Sequence, residues 1–183
     1  MRQRKSIRLK NYNYATAGYY FVTVCTQNRE CLFGNIVNGK ITINNIGKVA
    51  NHWWNELPTK FENVSLDTYQ IMPNHFHGIL IINSAIGRDN RDIIGRDNRA
   101  PTTLGQIVAF FKYQTTKYVN QLSVGAGSSR PETGSSRRGT IQKIWQRNYY
   151  EHIVRNENEL QKIRKYIIEN PIKWDNDSNN PKN

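Results

Sequence analysis

The sequence contains little cysteine and no long apolar run. Cys25 and Cys31 are the only two cysteines, and their spacing matches neither a metal-binding nor a redox motif, so we expect reduced thiols without a function. No apolar stretch approaches the roughly 20 residues that a membrane-spanning helix requires. The basic N-terminus is not followed by the apolar segment of a signal peptide. These absences predict a cytoplasmic protein that does not cross a membrane.

Acidic residues are also scarce relative to basic ones. The 183 residues include 26 Lys and Arg against 14 Asp and Glu, which gives a formal net charge of +12. This surplus favours a polyanionic partner, with nucleic acid ahead of an anionic membrane surface. Hydrophobic residues make up 37% and aromatic residues 11% of the chain, which excludes a protein that is disordered throughout.

Five segments have the alternating pattern of β-strands, rich in β-branched and aromatic residues. They are residues 18–26, 31–37, 40–43, 64–72 and 75–82. Asn38-Gly39 and Pro73-Asn74 are dipeptides typical of tight turns, so the strands on either side of each should pair antiparallel.

Apolar residues recur at three- and four-residue steps in three other segments, which predicts amphipathic helices. The first begins at Asn45 and ends before Pro58, the second covers 103–122, and the third follows Asn156 and ends by Asn170. Asn156 and Glu159 have the spacing of a capping box. The predicted fold class is α+β, an antiparallel β-sheet with helices packed on one face in a ferredoxin-like or RRM-like sandwich, which leaves the other face for an active site.

Two short polar duplications interrupt these patterns. IGRDNR occurs at 86–91 and 94–99, and GSSR at 127–130 and 134–137. Their period is far below the 20 residues or so of a structural repeat, so we interpret 84–101 and 123–140 as flexible insertions. The remainder predicts one domain over 1–183 with a basic N-terminal arm at 1–14.

A His-x-His pair opens the predicted strand at 75–82. Because side chains alternate along a strand, His75 and His77 project from one face and Phe76 from the other. Such a pair is either a metal site or a polar pair at the end of a strand. Tyr166 and Asn170 lie four residues apart on the third helix, about 40° apart around its axis, and could point at a cation held by the histidines.

Two motifs together resemble a known family. MPNHFHGILI and, downstream, WQRNYYEHIVRNENELQKIRKYIIENP are similar to the HUH (His-hydrophobic-His) single-tyrosine transposases, most closely the REP-associated tyrosine transposases that act on single-stranded DNA hairpins. The similarity extends from Arg8 to Trp174 outside the two insertions. It implies an HUH nuclease fold, a divalent metal on His75 and His77 with Asn170 as a further ligand, and Tyr166 as the nucleophile.

The implied reaction is metal-dependent cleavage and strand transfer at or near a DNA hairpin through a 5′-phosphotyrosine. The phenol is a poor nucleophile at neutral pH, so Mg²⁺ or Mn²⁺ is the expected cofactor. All three implied ligands are uncharged, and we therefore expect the metal and DNA to bind cooperatively.

Basic and aromatic residues near both ends of the chain are candidates for contacts with DNA. Basic side chains would follow phosphates, and flat rings would stack on unpaired bases. The set is Arg4, Lys5, Arg8, Arg138, Lys143, Trp145, Arg147, Tyr149 and Tyr150. For Trp145 and one of the two tyrosines, sealing the core is an equal alternative.

Two other functions remain open at this point. A rolling-circle replication initiator nuclease would share the paired histidines, and a non-catalytic single-stranded nucleic-acid-binding module would use them to stack on bases. A homodimer is also possible.

Overall fold

The computed structural model describes residues 8–84, 102–125 and 143–181, and the side chains of 123–125 are left out of the description. The described residues form six strands. They are β1 Gly18–Cys25, β2 Gly34–Val37, β3 Lys40–Ile43, β4 Val64–Ile71, β5 His75–Ile82 and β6 Tyr150–Val154. The helices are α1 Asn45–Asn55, α2 Leu57–Lys60, α3 Leu104–Gly125 and α4 Glu157–Glu169, with 3₁₀ turns at Gln27–Arg29 and Trp174–Asn176.

Four of the strands form one antiparallel sheet in the order β4-β5-β1-β6, and β2 and β3 form a separate hairpin. The sheet confirms the predicted α+β class. Sequence analysis did not predict β6, because its five residues lie in the aromatic segment that we assigned to contacts with DNA. β6 is an edge strand, and Tyr150 pairs there with Thr23 of β1.

The helices divide between the two faces of the sheet. The first face, called here the α3 face, carries Tyr20, Val22, Phe76 and Leu80, and α1 and α3 cover it with residues that include Trp54 and Phe111. The opposite face, called here the α4 face, carries Phe21, Thr23, His75, His77 and Ile79, where Phe21 and Ile79 pack against Leu160 and Ile167 of α4. The prediction of helices on one face therefore describes α1 and α3, while α4 lies on the face that we reserved for the active site.

Close packing on the α3 face depends on a missing side chain. A Cβ atom at Gly78 would lie 2.4 Å from the ring of Trp54 and 2.8 Å from that of Phe76. The large indole of Trp54 is fully buried and rests directly on the backbone of β5 at Gly78. This glycine lies between the two histidines on one side and Leu80 on the other. This contact holds the first half of β5 in place from the α3 face of the sheet.

Local sequence explains where α4 begins. Asn156 has an extended backbone, and its side-chain oxygen accepts a hydrogen bond from the backbone N–H of Glu159 at 2.9 Å. Glu159 in turn accepts from the backbone N–H of Arg155 at 2.7 Å. Asn156 thus caps the helix as predicted, whereas Glu159 reaches back to the N–H of Arg155, one residue before the N–H that a capping box uses.

The predicted start of the second insertion differs from the observed end of α3. α3 continues to Gly125, so the boundary at 123 is wrong by three residues. Residues 85–101 and 126–142 lie outside the described part of the chain. Of the predicted N-terminal arm, residues 8–14 are described, and Tyr12 and Tyr14 pack against the core. Among the helices of the described ranges, none is both long and apolar enough to cross a bilayer.

Candidate active site and metal centre

The two histidines lie side by side at the start of β5. His75 pairs with Cys25 and His77 with Thr23 in the neighbouring strand β1. Their side chains are almost completely buried, and Phe76 between them enters the core on the α3 face, with its ring centroid 4.4 Å from that of Trp54. The alternation predicted from the sequence is confirmed, and it brings the Nε2 atoms of the two imidazoles to 2.9 Å from each other.

Asn74 determines which nitrogen of His75 carries the proton. The side-chain N–H₂ group of Asn74 donates to two backbone carbonyls, those of Arg29 and Asn179, at 3.0 and 2.6 Å. Its oxygen must therefore face Nδ1 of His75, which lies 2.8 Å away. An amide oxygen only accepts, so Nδ1 of His75 holds the hydrogen and Nε2 presents a lone pair toward His77.

Thr23 makes the corresponding contact with His77. Its hydroxyl lies 2.8 Å from Nδ1 of His77 and is buried between the sheet and α4. A hydroxyl can donate or accept, so Thr23 supports either tautomer of His77. When it accepts, Nε2 of His77 also presents a lone pair to the site.

α4 brings two further polar side chains to the same point. The phenolic oxygen of Tyr166 and the side-chain nitrogen of Asn170 each lie 3.4 Å from Nε2 of His77. Tyr166 stays 44% exposed, whereas Asn170 is buried at the end of the helix. All four residues that the transposase resemblance marked as metal ligands or nucleophile therefore meet in one place, although they come from positions 75, 77, 166 and 170.

The chain that follows α4 adds an acidic residue that sequence analysis missed. Asp177 follows the 3₁₀ turn Trp174–Asn176, and its carboxylate lies 3.9 Å from Nε2 of His75. Ligand atoms of His75, His77 and Asp177 all lie within 4.8 Å of one another. A carboxylate therefore lies beside the three uncharged ligands that the resemblance implies. In the sequence, the only sign of Asp177 as a site residue was its position, a few residues beyond YIIENP.

Burial controls the protonation of this group of residues. It lowers the pKa of His75 to about 3, with a smaller effect from the positive charge of Arg29, and it lowers the pKa of His77 as well. Both imidazoles are thus neutral at neutral pH, which is the form that binds metals. Burial also raises the pKa of Tyr166, as does the charge of Asp177, against a smaller lowering by the hydrogen bond from Asn170. The phenol is protonated at neutral pH.

Two features of the site fit a divalent cation. If both Nδ1 atoms carry hydrogens, two lone pairs face each other across 2.9 Å, which is repulsive unless a cation binds both. Neighbouring ligands of an octahedral ion with bonds of about 2.1 Å are themselves about 3.0 Å apart. In addition, the side-chain oxygen of Asn170 is buried with no hydrogen-bond partner among the described residues; turning the amide over, so that this oxygen replaces the nitrogen that faces His77, would let a cation satisfy it. Imidazole, amide and carboxylate donors together suit Mn²⁺ or Mg²⁺.

The residues predicted to contact DNA are distributed over several environments. Arg4, Lys5 and Arg138 lie outside the described residues. Lys143 and Arg147 are exposed. Tyr150 is 54% exposed on the α4 face, and its ring centroid lies 6.2 Å from that of Phe21, which also contacts the rings of His77 and Tyr166.

Trp145 requires a correction. Its ring is 3% exposed and packs against Phe33 and Phe111 at centroid distances of 5.0 and 5.3 Å. A ring enclosed by other rings offers no face to a base, so Trp145 belongs to the core, which was the alternative left open by the sequence.

Arg8 and Tyr149 are also engaged within the protein. The guanidinium of Arg8 donates to the hydroxyl of Tyr149 at 3.1 Å and lies 3.8 Å from the carboxylate of Glu151, a side chain that is 3% exposed. Arg8 therefore neutralises a buried charge, and contact with a DNA phosphate would compete with that pairing. Tyr149 is half-buried against the core.

Comparisons with known proteins identify one close relative and a shared fold. No protein-family model matches the chain. A protein from Haemophilus influenzae, described as an uncharacterized protein, is 39% identical over 180 residues, which is 95% of this chain and 91% of that protein. The chain belongs to the same family as this Haemophilus protein.

The likeness to a solved structure concerns the fold. A structure of a REP-associated tyrosine transposase bound to a REP hairpin superposes with a TM-score of 0.58 at 17% identity, covering 91% of this chain and 73% of that one. At this identity the shared property is the arrangement of strands and helices. The superposition supports the α+β class that the sequence predicted.

Proposed function

We propose that this protein is a metal-dependent, single-strand DNA nicking and strand-transfer enzyme of the REP-associated tyrosine transposase type, with Tyr166 as its nucleophile. The observation that carries the proposal is the convergence of His75, His77, Tyr166 and Asn170 from two separate elements. Two buried neutral imidazoles beside a half-exposed phenol are not required by the fold, since apolar residues would pack there at lower cost.

Two independent observations support this assignment. The motifs that resemble the family contain these same four residues, and the fold is shared with a transposase that was solved with a REP hairpin. The net charge of +12 suits a DNA substrate.

The reaction follows from the groups present. The phenolic oxygen of Tyr166 forms a bond to the phosphorus of a phosphodiester and loses its proton, while the bond from phosphorus to the 3′ oxygen breaks and that oxygen takes up a proton. The products are a 5′-phosphotyrosine and a free 3′-hydroxyl. One ester replaces another, so rejoining to a second 3′-hydroxyl needs no external energy source.

His75, His77 and Asn170 would hold Mn²⁺ or Mg²⁺, and the carboxylate of Asp177 would supply a negative charge to the same site. The ion, when bound, would offset the charge that develops on the phosphate. Asn74 and Thr23 orient the imidazoles so that Nε2 faces the site. Because Asp177 contributes a charge, binding of the metal depends less on DNA phosphates than the uncharged ligand set implied.

The substrate would lie along the α4 face. Tyr150 offers an exposed ring beside Phe21 for an unpaired base, and Lys143 and Arg147 lie just before it in the chain to contact phosphates. A DNA hairpin as the partner, a single catalytic domain over 1–183, a possible homodimer and a cytoplasmic location at the nucleoid are parts of the same proposal.

A denaturing gel tests the proposal. The protein is incubated with single-stranded hairpin oligonucleotides and Mn²⁺ or Mg²⁺, and a covalent adduct is expected as a slowly migrating band. Tyr166→Phe should abolish the band, and a chelator should do the same for the wild type. Tyr113→Phe is the matched control, because Tyr113 is an exposed tyrosine on α3, away from the site.

An adduct that survives in Tyr166→Phe would show that another residue is the nucleophile. No adduct from the wild type with any hairpin, in the presence of either metal, would contradict the nicking reaction itself.

A further inference from the structure

α4 is joined to the sheet by polar contacts on both of its flanks. On one flank, Glu159 accepts a hydrogen bond from Nε2 of His152 on the edge strand β6, at 2.7 Å. On the other flank, Arg164 binds Asp67 on the opposite edge strand, β4. Apolar packing of Leu160 and Ile167 on Phe21 and Ile79 lies between the two. Apolar packing alone tolerates sliding, whereas directional contacts at both edges fix the position of the helix.

The contact of Arg164 with Asp67 has the stronger geometry. The Nε atom of Arg164 donates to Oδ1 of Asp67 at 3.0 Å, and a terminal nitrogen of the same guanidinium donates to Oδ2, so the pair is bidentate. The two side chains are 28% and 11% exposed, which limits solvent screening. The arginine holds the pKa of Asp67 below its usual value, so the carboxylate is charged at neutral pH.

An irregularity in β4 places Asp67 at this position. Leu66 pairs with Leu80 and Tyr69 with Gly78, so three steps along β4 correspond to two steps along β5. The additional residue of β4 forms a β-bulge at Asp67 and Thr68. The hydroxyl of Thr68 donates to Asp67 at 3.0 Å and holds the carboxylate toward α4. The bulge thus presents the carboxylate of Asp67 to Arg164 of α4.

We propose that the pair Asp67–Arg164 positions α4 so that Tyr166 and Asn170 meet the paired histidines. Arg164 lies two residues before Tyr166 on the same helix, and both Tyr166 and Asn170 reach Nε2 of His77 only from this placement of α4. The inference rests on the proposed function, because its consequence is measured on the cleavage reaction. Asp67 and Arg164 are positioning residues and touch no reacting atom.

The test is a double-mutant cycle of Asp67→Asn and Arg164→Lys, measured as the single-turnover rate of adduct formation at saturating hairpin DNA and Mn²⁺. Each single variant should slow the reaction about tenfold or more, since a displacement on the order of 1 Å costs about a hundredfold. The double variant should be no slower than the slower single one. Mn²⁺ affinity, measured by calorimetry without DNA, should fall as well, because Asn170 moves with α4.

Glu157→Gln is the matched control. Glu157 contacts the same guanidinium at 3.4 Å but lies within α4, so its loss does not release the helix from the sheet, and both the rate and the Mn²⁺ affinity should stay at wild-type values. All assays are run well below the melting temperature of each variant, where the folded fraction is complete.

Three results would overturn the inference. Asp67→Asn with a wild-type rate and Mn²⁺ affinity would show that the pair only adds stability. A loss of DNA affinity in Arg164→Lys alone, with an unchanged rate at saturation, would show that Arg164 contacts a phosphate instead. Additive losses in the cycle would show that the two residues act separately. A wild-type protein that forms no adduct contradicts the proposed function, while the calorimetric arm still reports on the positioning of Asn170.

Discussion

At the scale of single residues, the site contains four residues that sequence analysis marked and a fifth, Asp177, that it missed. Alternation along a strand placed His75 and His77 on one face, and four-residue spacing placed Tyr166 and Asn170 on one side of a helix, but their roles came from the resemblance to the transposases. Asp177 follows a 3₁₀ turn and reaches His75 through the path of the chain after α4, which no local pattern specifies.

Replacing Asp177 with asparagine tests its part in the metal centre. Asp177→Asn removes the carboxylate charge within 3.9 Å of His75, so we expect Mn²⁺ affinity, measured by calorimetry or electron paramagnetic resonance, to fall about tenfold or more. Asp175→Asn is the control, because it removes an equal charge from an exposed position two residues earlier. Equal affinity of Asp177→Asn and the wild type would exclude the carboxylate from the site.

A second substitution at this scale separates a core ring from a ring that binds DNA. Trp145 packs between Phe33 and Phe111, so Trp145→Ala should lower the free energy of unfolding by about 3–5 kcal/mol in urea titrations. Tyr150→Ala should leave stability nearly unchanged and weaken binding of single-stranded DNA by about 1–3 kcal/mol. The opposite pattern, with stability lost in Tyr150→Ala and DNA affinity lost in a stable Trp145→Ala, would exchange the two roles.

At the scale of elements, β5 and α4 build the site and the rest of the fold supports them. The missing side chain at Gly78 lets Trp54 press on β5 from the α3 face, and the Asp67–Arg164 pair ties α4 to β4 on the other. Apart from β6 and the short α2, the strands and helices of the described residues could be predicted from their periodicity and caps. The side of the sheet on which α4 lies could not, because the polarity of a helix stripe does not specify which of two apolar faces it covers.

The contact between β4 and α4 predicts a pH dependence of stability. The pKa of Asp67 is lower in the folded protein than in the unfolded chain, so its contribution is complete above about pH 4 and is lost as the pH falls through the folded value. Asp67→Asn should therefore be less stable than the wild type by about 1–3 kcal/mol at pH 7. The difference in the free energy of unfolding should shrink below about pH 4.

The charged neighbours of Asp67 determine which groups can change the stability difference between Asp67→Asn and the wild type as the pH falls. Arg164 and Glu157 carry the nearby charges, and Tyr19 lies close enough to influence Arg164. Arg164 remains protonated throughout, so the change below pH 4 reports on carboxyl groups. Urea titrations of both proteins between pH 7 and pH 3 measure it, and a difference that is independent of pH would show that Asp67 stabilises the protein by packing alone.

At the scale of the whole molecule, the α4 face brings together residues from distant parts of the chain. Position 23 on β1, positions 75 and 77 on β5, position 150 on β6 and positions 166 to 177 at the end of the chain all lie on this face. Sequence analysis predicted an α+β sheet protein, and the shared fold agrees with that class. It did not predict β6, which extends the sheet beneath the aromatic residues beside the site, because five residues with weak alternation give little signal.

The most direct measurement of the central claim is mass spectrometry of the protein after reaction with a single-stranded hairpin and Mn²⁺, followed by nuclease and trypsin digestion. Cleavage after Lys165 and Lys173 yields the peptide YIIENPIK, in which Tyr166 is the only tyrosine. We predict a 5′-linked nucleotide on this peptide, and its absence from Tyr166→Phe. A nucleotide on the peptide that carries Tyr149 and Tyr150, or on no peptide at all, would contradict the account.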